Sequence, residues 1–287
     1  LWSKRWDKLL DDIFEVQDEV SSAIAAMVSP AVKGQEQVKL AARKSVNMTA
    51  WDYYLRALSA FNNREPSGSI IELCNKSIEL QSDISDPYVL YCRVLVDDIF
   101  DGDSDKVAKR KYNEAQLHKM SQIAYDLDSE NPDAIIAYSR SFNIKRDYDK
   151  RIELAKKAVE INPNHAAANY DYGLAITTIG DFQEALVRIE KAMELNPMEQ
   201  ASFKNFLPMV YIGLKDFSSS LKCYNELEEK RPLQTGSLSF KAAVLAHLGK
   251  IDEGKALLDE YLKLRPAVKS LKDYEKLAPN IIKEILM

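Results

Sequence analysis

The chain has 287 residues, of which 46% are hydrophobic and 29% are charged, with only 9 glycines and 10 prolines. This balance is typical of an ordered, largely helical protein, and it excludes a disordered or fibrous chain. The formal net charge of -5 disfavours nucleic acid and anionic membrane surfaces as partners, because binding to phosphates requires an overall basic surface.

The first 46 residues contain one amphipathic segment. Within residues 7–29 the apolar side chains share one helical stripe, which ends before Pro30. This stripe can cover the first unit of the helical region that follows, pair with a second copy of the chain in a homodimer, or hold another domain. Residues 1–46 are therefore predicted to be a junction with an amphipathic helix, and the three alternatives stay open. The stripe consists of Leu10, Ile13, Phe14, Val20, Ile24 and Met27.

Prolines recur at a nearly constant distance in the second half of the chain. The steps are 34, 35 and 34 residues, from Pro163 through Pro197 and Pro232 to Pro266. Between successive prolines, each unit has an apolar helical period, a short turn and a second apolar helical period. Such a repeat predicts a series of helical hairpins that stack on one another.

The turns inside these units carry an acidic residue at the start of the second helix. Asp147, Asp181 and Asp216 are placed to accept hydrogen bonds from the free N–H groups of that helix. Gly173 and Ala185 lie 12 residues apart across one such turn. Because both are small, we expect the two helices of that hairpin to approach each other closely there.

The unit that starts at residue 166 resembles a tetratricopeptide repeat. Its small residues Gly173, Ala185 and Ala192 and its terminal Pro197 match the pattern of that family completely, and we expect them to carry the packing of the repeat. The neighbouring units match more loosely. In one of them Pro208 stands where the family has a small residue, and it is expected to kink or shorten the first helix.

The resemblance implies an all-α fold for residues 47–268. We expect an α-solenoid, a right-handed superhelix of about six helical hairpins. Residues 269–287 place apolar side chains at helical spacing around Pro279, and they are predicted to form a C-terminal capping helix.

The first helices of the hairpins line the concave face of such a superhelix, which is its usual binding surface. The resemblance therefore implies that a protein or peptide partner binds in this groove, held by polar contacts and apolar pockets. The residues expected to point into the groove are Ile136, Arg140, Asn143, Tyr170, Leu174, Thr177, Ser202, Asn205, Met209, Ser239 and Ala243.

A second resemblance concerns the N-terminal part of the chain. The stretches "LWSKRWD", "DIFEVQDEV" and "MTAWDYYLRAL" are similar to the junction of a bacterial multidomain signalling family. In that family a class III adenylate or guanylate cyclase, or alternatively a winged-helix DNA-binding domain, precedes tetratricopeptide repeats. The resemblance implies a bacterial signal-transduction protein whose upstream domain is also a partner of the repeats. A cyclase is the favoured parent, with a transcriptional regulator or a structural dimerisation scaffold as alternatives.

The sequence has no pattern of a catalytic or cofactor site. His118, His165 and His247 lie in different units, without a second ligand at metal-binding spacing. No Gly-rich phosphate loop, nucleophile elbow or cysteine paired with a nearby histidine is present. We therefore expect no enzyme activity, cofactor or metal in this chain. Three dispersed cysteines favour a reducing, cytoplasmic compartment, and no stretch approaches the ~20 apolar residues of a membrane span.

Overall fold

The computed structural model of the chain describes residues 47–100, 107–197, 200–230, 232–233, 235–270 and 273. All regular elements within these ranges are helices, so the all-α expectation is confirmed. The predicted amphipathic helix of residues 7–29 lies outside the described residues. So does nearly all of the predicted capping helix of residues 269–287.

The α-helices follow one another with short connections. In chain order they are α1 (Met48–Asn62), α2 (Ser67–Leu80), α3 (Asp86–Phe100), α4 (Val107–Leu127), α5 (Pro132–Lys145), α6 (Tyr148–Ile161), α7 (Ala166–Ile176), α8 (Phe182–Leu195), α9 (Gln200–Phe203), α10 (Leu207–Gly213), α11 (Phe217–Glu228), α12 (Thr235–His247) and α13 (Ile251–Leu264).

Within the described residues these helices form six antiparallel hairpins. The pairs are α1 with α2, α3 with α4, α5 with α6, α7 with α8, the split helix α9–α10 with α11, and α12 with α13. Each second helix also packs against the first helix of the next hairpin. The first helices α1, α3, α5 and α7 touch in that order, so they form one continuous wall. The expectation of stacked helical hairpins is therefore confirmed.

The two helices of the fourth hairpin cross at the predicted small residues. A Cβ atom built on Gly173 would lie 3.1 Å from the carbonyl oxygen of Ala185 and 3.1 Å from Cγ1 of Ile189. Ala185 and Ala192 are both completely buried. The helices therefore approach so closely that a side chain at residue 173 would have to displace the backbone or the side chains that face it.

The same crossing recurs 12 residues apart in three other hairpins. Ser139 donates a hydrogen bond of 3.0 Å to the carbonyl oxygen of Arg151, and Ser220 donates one of 3.0 Å to that of Pro208. In the last hairpin a Cβ atom on Gly254 would lie 2.9 Å from the carbonyl oxygen of Ala242. Each crossing thus pairs a small residue with a backbone carbonyl of the facing helix.

The turn between the two helices also repeats. Asp147, Asp181 and Asp216 each accept a hydrogen bond from the backbone N–H three residues later, so the predicted N-caps are confirmed. The residue just before each cap is left-handed, with φ of 57° at Arg146 and 80° at Gly180. A left-handed residue ends the first helix and turns the chain back toward it.

Pro208 divides the first helix of the fifth hairpin, as expected. The helical segment α9 ends at Phe203, a single 3₁₀ turn covers residues 204–206, and α10 begins at Leu207. Pro208 then stands in the first turn of α10, where its missing N–H group leaves no hydrogen bond unmade.

The last described hairpin exposes a position that is buried in the earlier ones. Ala155, Ile189 and Tyr224 occupy this position on α6, α8 and α11, and they are at most 2% exposed. Their equivalent on α13, Leu258, is 43% exposed. In the earlier hairpins, the first helix of the next hairpin packs on this side.

We predict that Gly173→Leu destabilises the protein by roughly 1–3 kcal/mol, because the larger side chain overpacks the crossing with Ala185. The free energy of unfolding in urea measures this change. Gly236→Leu is the matched control, since nothing lies within 4 Å of a Cβ atom at that helical glycine. Equal urea midpoints for the two variants would contradict the close crossing.

Candidate binding groove

An open groove of about 640 Å³ runs along the wall of first helices. Its lining comes from α1, α3, α5, α7 and α9, from the last residue of α8 and from the turns before α7 and α9. The side chains include aromatic, aliphatic and charged groups, so the groove offers both apolar contacts and hydrogen bonds. We refer to this cavity below as the groove.

Four of the residues predicted to point into a concave face line the groove. They are Ile136, Arg140, Tyr170 and Ser202, from three successive first helices. The other predicted residues do not belong to its lining, and a partner contact by any of the eleven stays a prediction. These others are Asn143, Leu174, Thr177, Asn205, Met209, Ser239 and Ala243.

Two of the predicted residues turn their hydroxyl groups back to their own helix. Thr177 is 6% exposed and donates a hydrogen bond of 2.8 Å to the carbonyl oxygen of Leu174. Ser239 is 9% exposed and donates one of 2.8 Å to the carbonyl oxygen of Gly236. Sequence spacing identifies the side of the helix but not this local hydrogen bond, which competes with a partner for the hydroxyl.

Aromatic side chains stand at both ends of the groove. At one end the rings of Tyr170 and Phe203 have their centroids 4.8 Å apart. At the other end the guanidinium of Arg93 lies 4.6 Å from the ring centroid of Phe61. Neither Phe61 nor Phe203 was among the predicted groove residues. Phe61 is partly exposed and gives apolar area to a ligand, whereas Phe203 is only 4% exposed and packs against Tyr170.

A histidine and an aspartate meet at the middle of the groove. His165 caps α7, because its Nδ1 accepts a hydrogen bond of 3.2 Å from the N–H of Ala168. Nε2 must then carry the ring proton, and it lies 3.5 Å from Oδ2 of Asp133. Burial raises the pKa of Asp133, but the hydrogen bond from His165 and the positive charges of Arg93 and Arg140 oppose this rise, so the net pKa is below its usual value. Asp133 therefore stays ionised at neutral pH.

A buried cluster of charged residues lies behind the groove wall. We use the name buried cluster for Ser139, Arg140, Arg151 and Asp171. Asp171 on α7 is completely buried. It accepts a hydrogen bond of 2.8 Å from Nε of Arg140 and one of 3.3 Å from the hydroxyl of Ser139. An η nitrogen of Arg151 lies 3.8 Å from the same carboxylate.

The buried cluster contains two guanidinium groups and one carboxylate, so its formal charge is +1. Arg151 is 5% exposed, and its Nε has no hydrogen-bond partner. Burial lowers the pKa of Arg151, and the charge of Arg140 lowers it further, although Asp171 opposes both effects. Arg151 stands at the crossing position that holds a small residue in the fourth, fifth and sixth hairpins, so this charge is a departure from the repeat.

Tyr170 borders both the groove and the buried cluster. Burial raises the pKa of its hydroxyl to about 12; Asp171 adds to this rise, and Arg140 opposes it. The hydroxyl is therefore protonated at neutral pH and is able to donate and accept a hydrogen bond.

Ser141, His118 and Lys145 are residue types that occur in nucleophilic sites, but their hydrogen bonds here are not those of such a site. Ser141 contacts His118 Nδ1 at 2.9 Å, and Lys145 contacts His118 Nε2 at 2.7 Å. The hydroxyl of Ser141 donates to the carbonyl oxygen of Tyr138, so it accepts from His118 instead of giving up its proton. Ser141 is also only 1% exposed. The arrangement ties α4 to α5 and does not activate a nucleophile.

Two of the three cysteines are buried. Cys74 and Cys92 are buried and Cys223 is partly exposed, and all three are free. Burial raises the pKa of Cys74 to about 12 and raises that of Cys92 as well, which keeps both thiols protonated. In the described ranges, no group of three or more His, Cys, Asp or Glu side chains is close enough together to hold a metal ion. None of the helices described is both long enough and apolar enough to cross a membrane.

Comparison with known proteins gives the fold. No protein-family model matches the sequence, and no curated protein matches it. PilF of Pseudomonas aeruginosa is similar with a TM-score of 0.55 and 14% identity, over 82% of this chain and 100% of PilF.

Two further solved structures agree. TTC0263, a thermophilic TPR protein of Thermus thermophilus, has a TM-score of 0.52 and 11% identity, over 69% of this chain and 98% of its own. A chain of the APC/C hetero-tetramer Cut9-Hcn1 has a TM-score of 0.54 and 14% identity, over 80% of this chain and 49% of its own. The described chain therefore has the all-helical repeat fold of tetratricopeptide repeat proteins.

We predict that Asp171→Ala destabilises the protein by about 3–5 kcal/mol, because the buried guanidinium of Arg151 and the partly exposed guanidinium of Arg140 both lose the carboxylate that lies between them. The free energy of unfolding in urea is the measurement. Glu184→Gln is the control, since it breaks the exposed pair of Glu184 with Arg188 and should change stability by less than about 1 kcal/mol. An Asp171→Ala variant as stable as the control would show that the buried cluster does not hold the third and fourth hairpins together.

Proposed function

We propose that this chain is a non-catalytic interaction module that binds an extended peptide segment of a protein partner in the groove. The observation that carries the proposal is the groove itself, which is open along its length and is lined by five first helices. Its lining contains both charged or amide side chains and aromatic or aliphatic ones. This mixture suits a peptide, whose backbone needs hydrogen bonds and whose side chains need apolar pockets.

The shape of the groove also favours a peptide over a compact small molecule. Pockets for small molecules are closed on most sides and bury most of the ligand surface. The groove instead follows successive hairpins with one side open to solvent. An extended segment can contact Phe61 at one end and Ser202 at the other without having to enter a closed cavity.

We also propose that the module serves a bacterial signalling protein, with a class III cyclase as the favoured parent and a winged-helix regulator as the alternative. The support is the similarity of "LWSKRWD" and "DIFEVQDEV" to a junction in that family. Both stretches lie outside the described residues. The coding sequence upstream of Leu1 tests this proposal, because a cyclase domain and a winged helix have different motifs there.

The exposed side of α13 supports a proposal on how the stack ends. We propose that the chain after Ser270 covers Leu258, since residues 271–287 carry apolar side chains at helical spacing and follow α13 directly. A second copy of the chain is the other occupant, which would make the module a dimerisation scaffold.

We predict that Leu258→Glu destabilises the full chain but has little effect on a chain that ends at Ser270. The reason is that the charge is buried only when the following segment covers α13. Urea unfolding of the four proteins measures the difference, and Leu264→Glu, at an exposed position, is the control. If Leu258→Glu instead converts a dimer of the full chain into a monomer in sedimentation, the second copy is the occupant and the proposal fails.

We predict that Ser202→Trp blocks the groove, because Ser202 is an exposed residue of its lining. Peptides selected on the wild-type protein from a phage-displayed library of random dodecapeptides should bind this variant at least about tenfold more weakly. Ser218→Trp is the matched control, since Ser218 is exposed on α11 away from the groove. Failure to select any peptide, or equal binding to both variants, would reject the groove as the binding site.

A further inference from the structure

We infer that residues 7–29 of this chain dock on an exposed apolar stripe along the outer side of α1. The stripe consists of Met48, Trp51 and Leu55, and we refer to it below as the α1 stripe. None of these three residues lines the groove, so the inference does not depend on peptide binding there.

The α1 stripe lies on the side of α1 that the neighbouring helices leave uncovered. Ala57 and Ala60 pack against α2 and α3 and are at most 4% exposed. Met48, Trp51 and Leu55 follow one another at intervals of three and four residues on the other side of the helix. Met48 is 76% exposed, Leu55 is 47% exposed and Trp51 is partly exposed. Apolar residues on two sides of a helix indicate that both sides are covered.

The position of α1 in the stack shows where the covering element has to come from. The first helices α3, α5 and α7 each contact both helices of the hairpin before them. Within the described residues no helix precedes α1, so α1 lacks the contacts that the later first helices have. Residues 1–46 join the stack at this end, and they contain the amphipathic stripe of residues 7–29.

The connection between the two segments is long enough for residues 7–29 to lie alongside α1. Asn47 caps α1, because its side chain accepts hydrogen bonds from the N–H groups of Thr49 and Ala50, so the helix begins there. The seventeen residues 30–46 span at most roughly 60 Å when extended. The fifteen residues of α1 are only about 22 Å long. The chain can therefore return along α1 in either direction.

The charge of residues 7–29 favours α1 over a second copy of the same segment. Six acidic residues and one lysine give the segment a net charge of -5. Asp12 and Asp18 border its apolar stripe on the two sides, so self-pairing would bring like charges together along both edges. Beside the α1 stripe, Asp52 and Arg56 form an exposed ion pair of 3.9 Å, whose charges cancel. The acidic segment therefore meets less repulsion on α1 than on its own copy.

Two measurements on the full chain test the inference. Hydrogen exchange of residues 7–29, followed by mass spectrometry, reports whether the segment is held in place. The rate at which hydrogen peroxide oxidises Met48 reports whether the α1 stripe is covered. Leu55→Glu changes the stripe and Phe14→Glu changes the segment. Val187→Glu is the matched control, because Val187 is 50% exposed on α8, away from α1.

We expect residues 7–29 of the wild type to exchange at least about tenfold more slowly than an unfolded peptide of the same sequence. Leu55→Glu should remove most of this protection, because a charge on the α1 stripe opposes apolar contact. Phe14→Glu should raise the oxidation rate of Met48 at least about fivefold, because the side chain loses its cover. Val187→Glu should change neither value.

The inference requires both effects, and the absence of either one would overturn it. Residues 7–29 that exchange as fast as an unfolded peptide would leave the segment free to hold another domain. A chain that sediments as a dimer, and that Phe14→Glu but not Leu55→Glu converts into a monomer, would make the second copy the occupant. The effect of Phe14→Glu on Met48 needs no substitution in the solenoid, so misfolding of the Leu55→Glu variant cannot rescue the inference.

Discussion

The fold depends on the close crossing of the two helices in each hairpin. In four hairpins a small residue meets a backbone carbonyl 12 residues away, through van der Waals contact at Gly173 and Gly254 and through a hydroxyl at Ser139 and Ser220. This contact sets the distance between the helices of a hairpin. Because the distance is short, both helices can also reach the next hairpin, and the wall of first helices follows from it.

The buried cluster is built on one of these crossings and shows what happens when the small residue is replaced. In the third hairpin the small residue at the crossing is Ser139, which lies on the first helix. Arg151 on the second helix therefore occupies a position that holds a small residue in the three hairpins that follow. A buried guanidinium needs a carboxylate, and Asp171 supplies it from the next hairpin. The same carboxylate then orients Arg140 toward the groove. A packing departure in one hairpin thereby connects two hairpins and places a charged group at the candidate site.

Much of the fold could be predicted from sequence because its signals are local. The aspartate caps and the break at Pro208 each depend on residues within one or two helical turns, and the prolines mark the repeat directly by their spacing of 34 or 35 residues. The groove was predicted less completely. Ile136, Arg140, Tyr170 and Ser202, which were predicted from their spacing, line the groove, but spacing could not show that Thr177 and Ser239 bond to their own helices.

The buried cluster could not be predicted as a cluster from the sequence, because its members lie far apart in the chain. Asp171 lies 31 residues from Arg140 and 20 from Arg151 in the chain, so no helical period joins them. Only the stacking of hairpins brings the three together. The one available sign was Arg151 itself, a long charged residue at a position that holds a small one in the three hairpins that follow.

The buried cluster and the break at Pro208 lead us to expect that the interfaces between successive hairpins differ in stiffness. Charged hydrogen bonds fix the third hairpin to the fourth, whereas the fifth begins with a helix that Pro208 has divided into two short pieces. We expect thermal bending of the solenoid to concentrate between the fourth and the fifth hairpin. Such bending would move the C-terminal hairpins as a lever and would shift Ser202 and Phe203 relative to the part of the groove that α5 and α7 line.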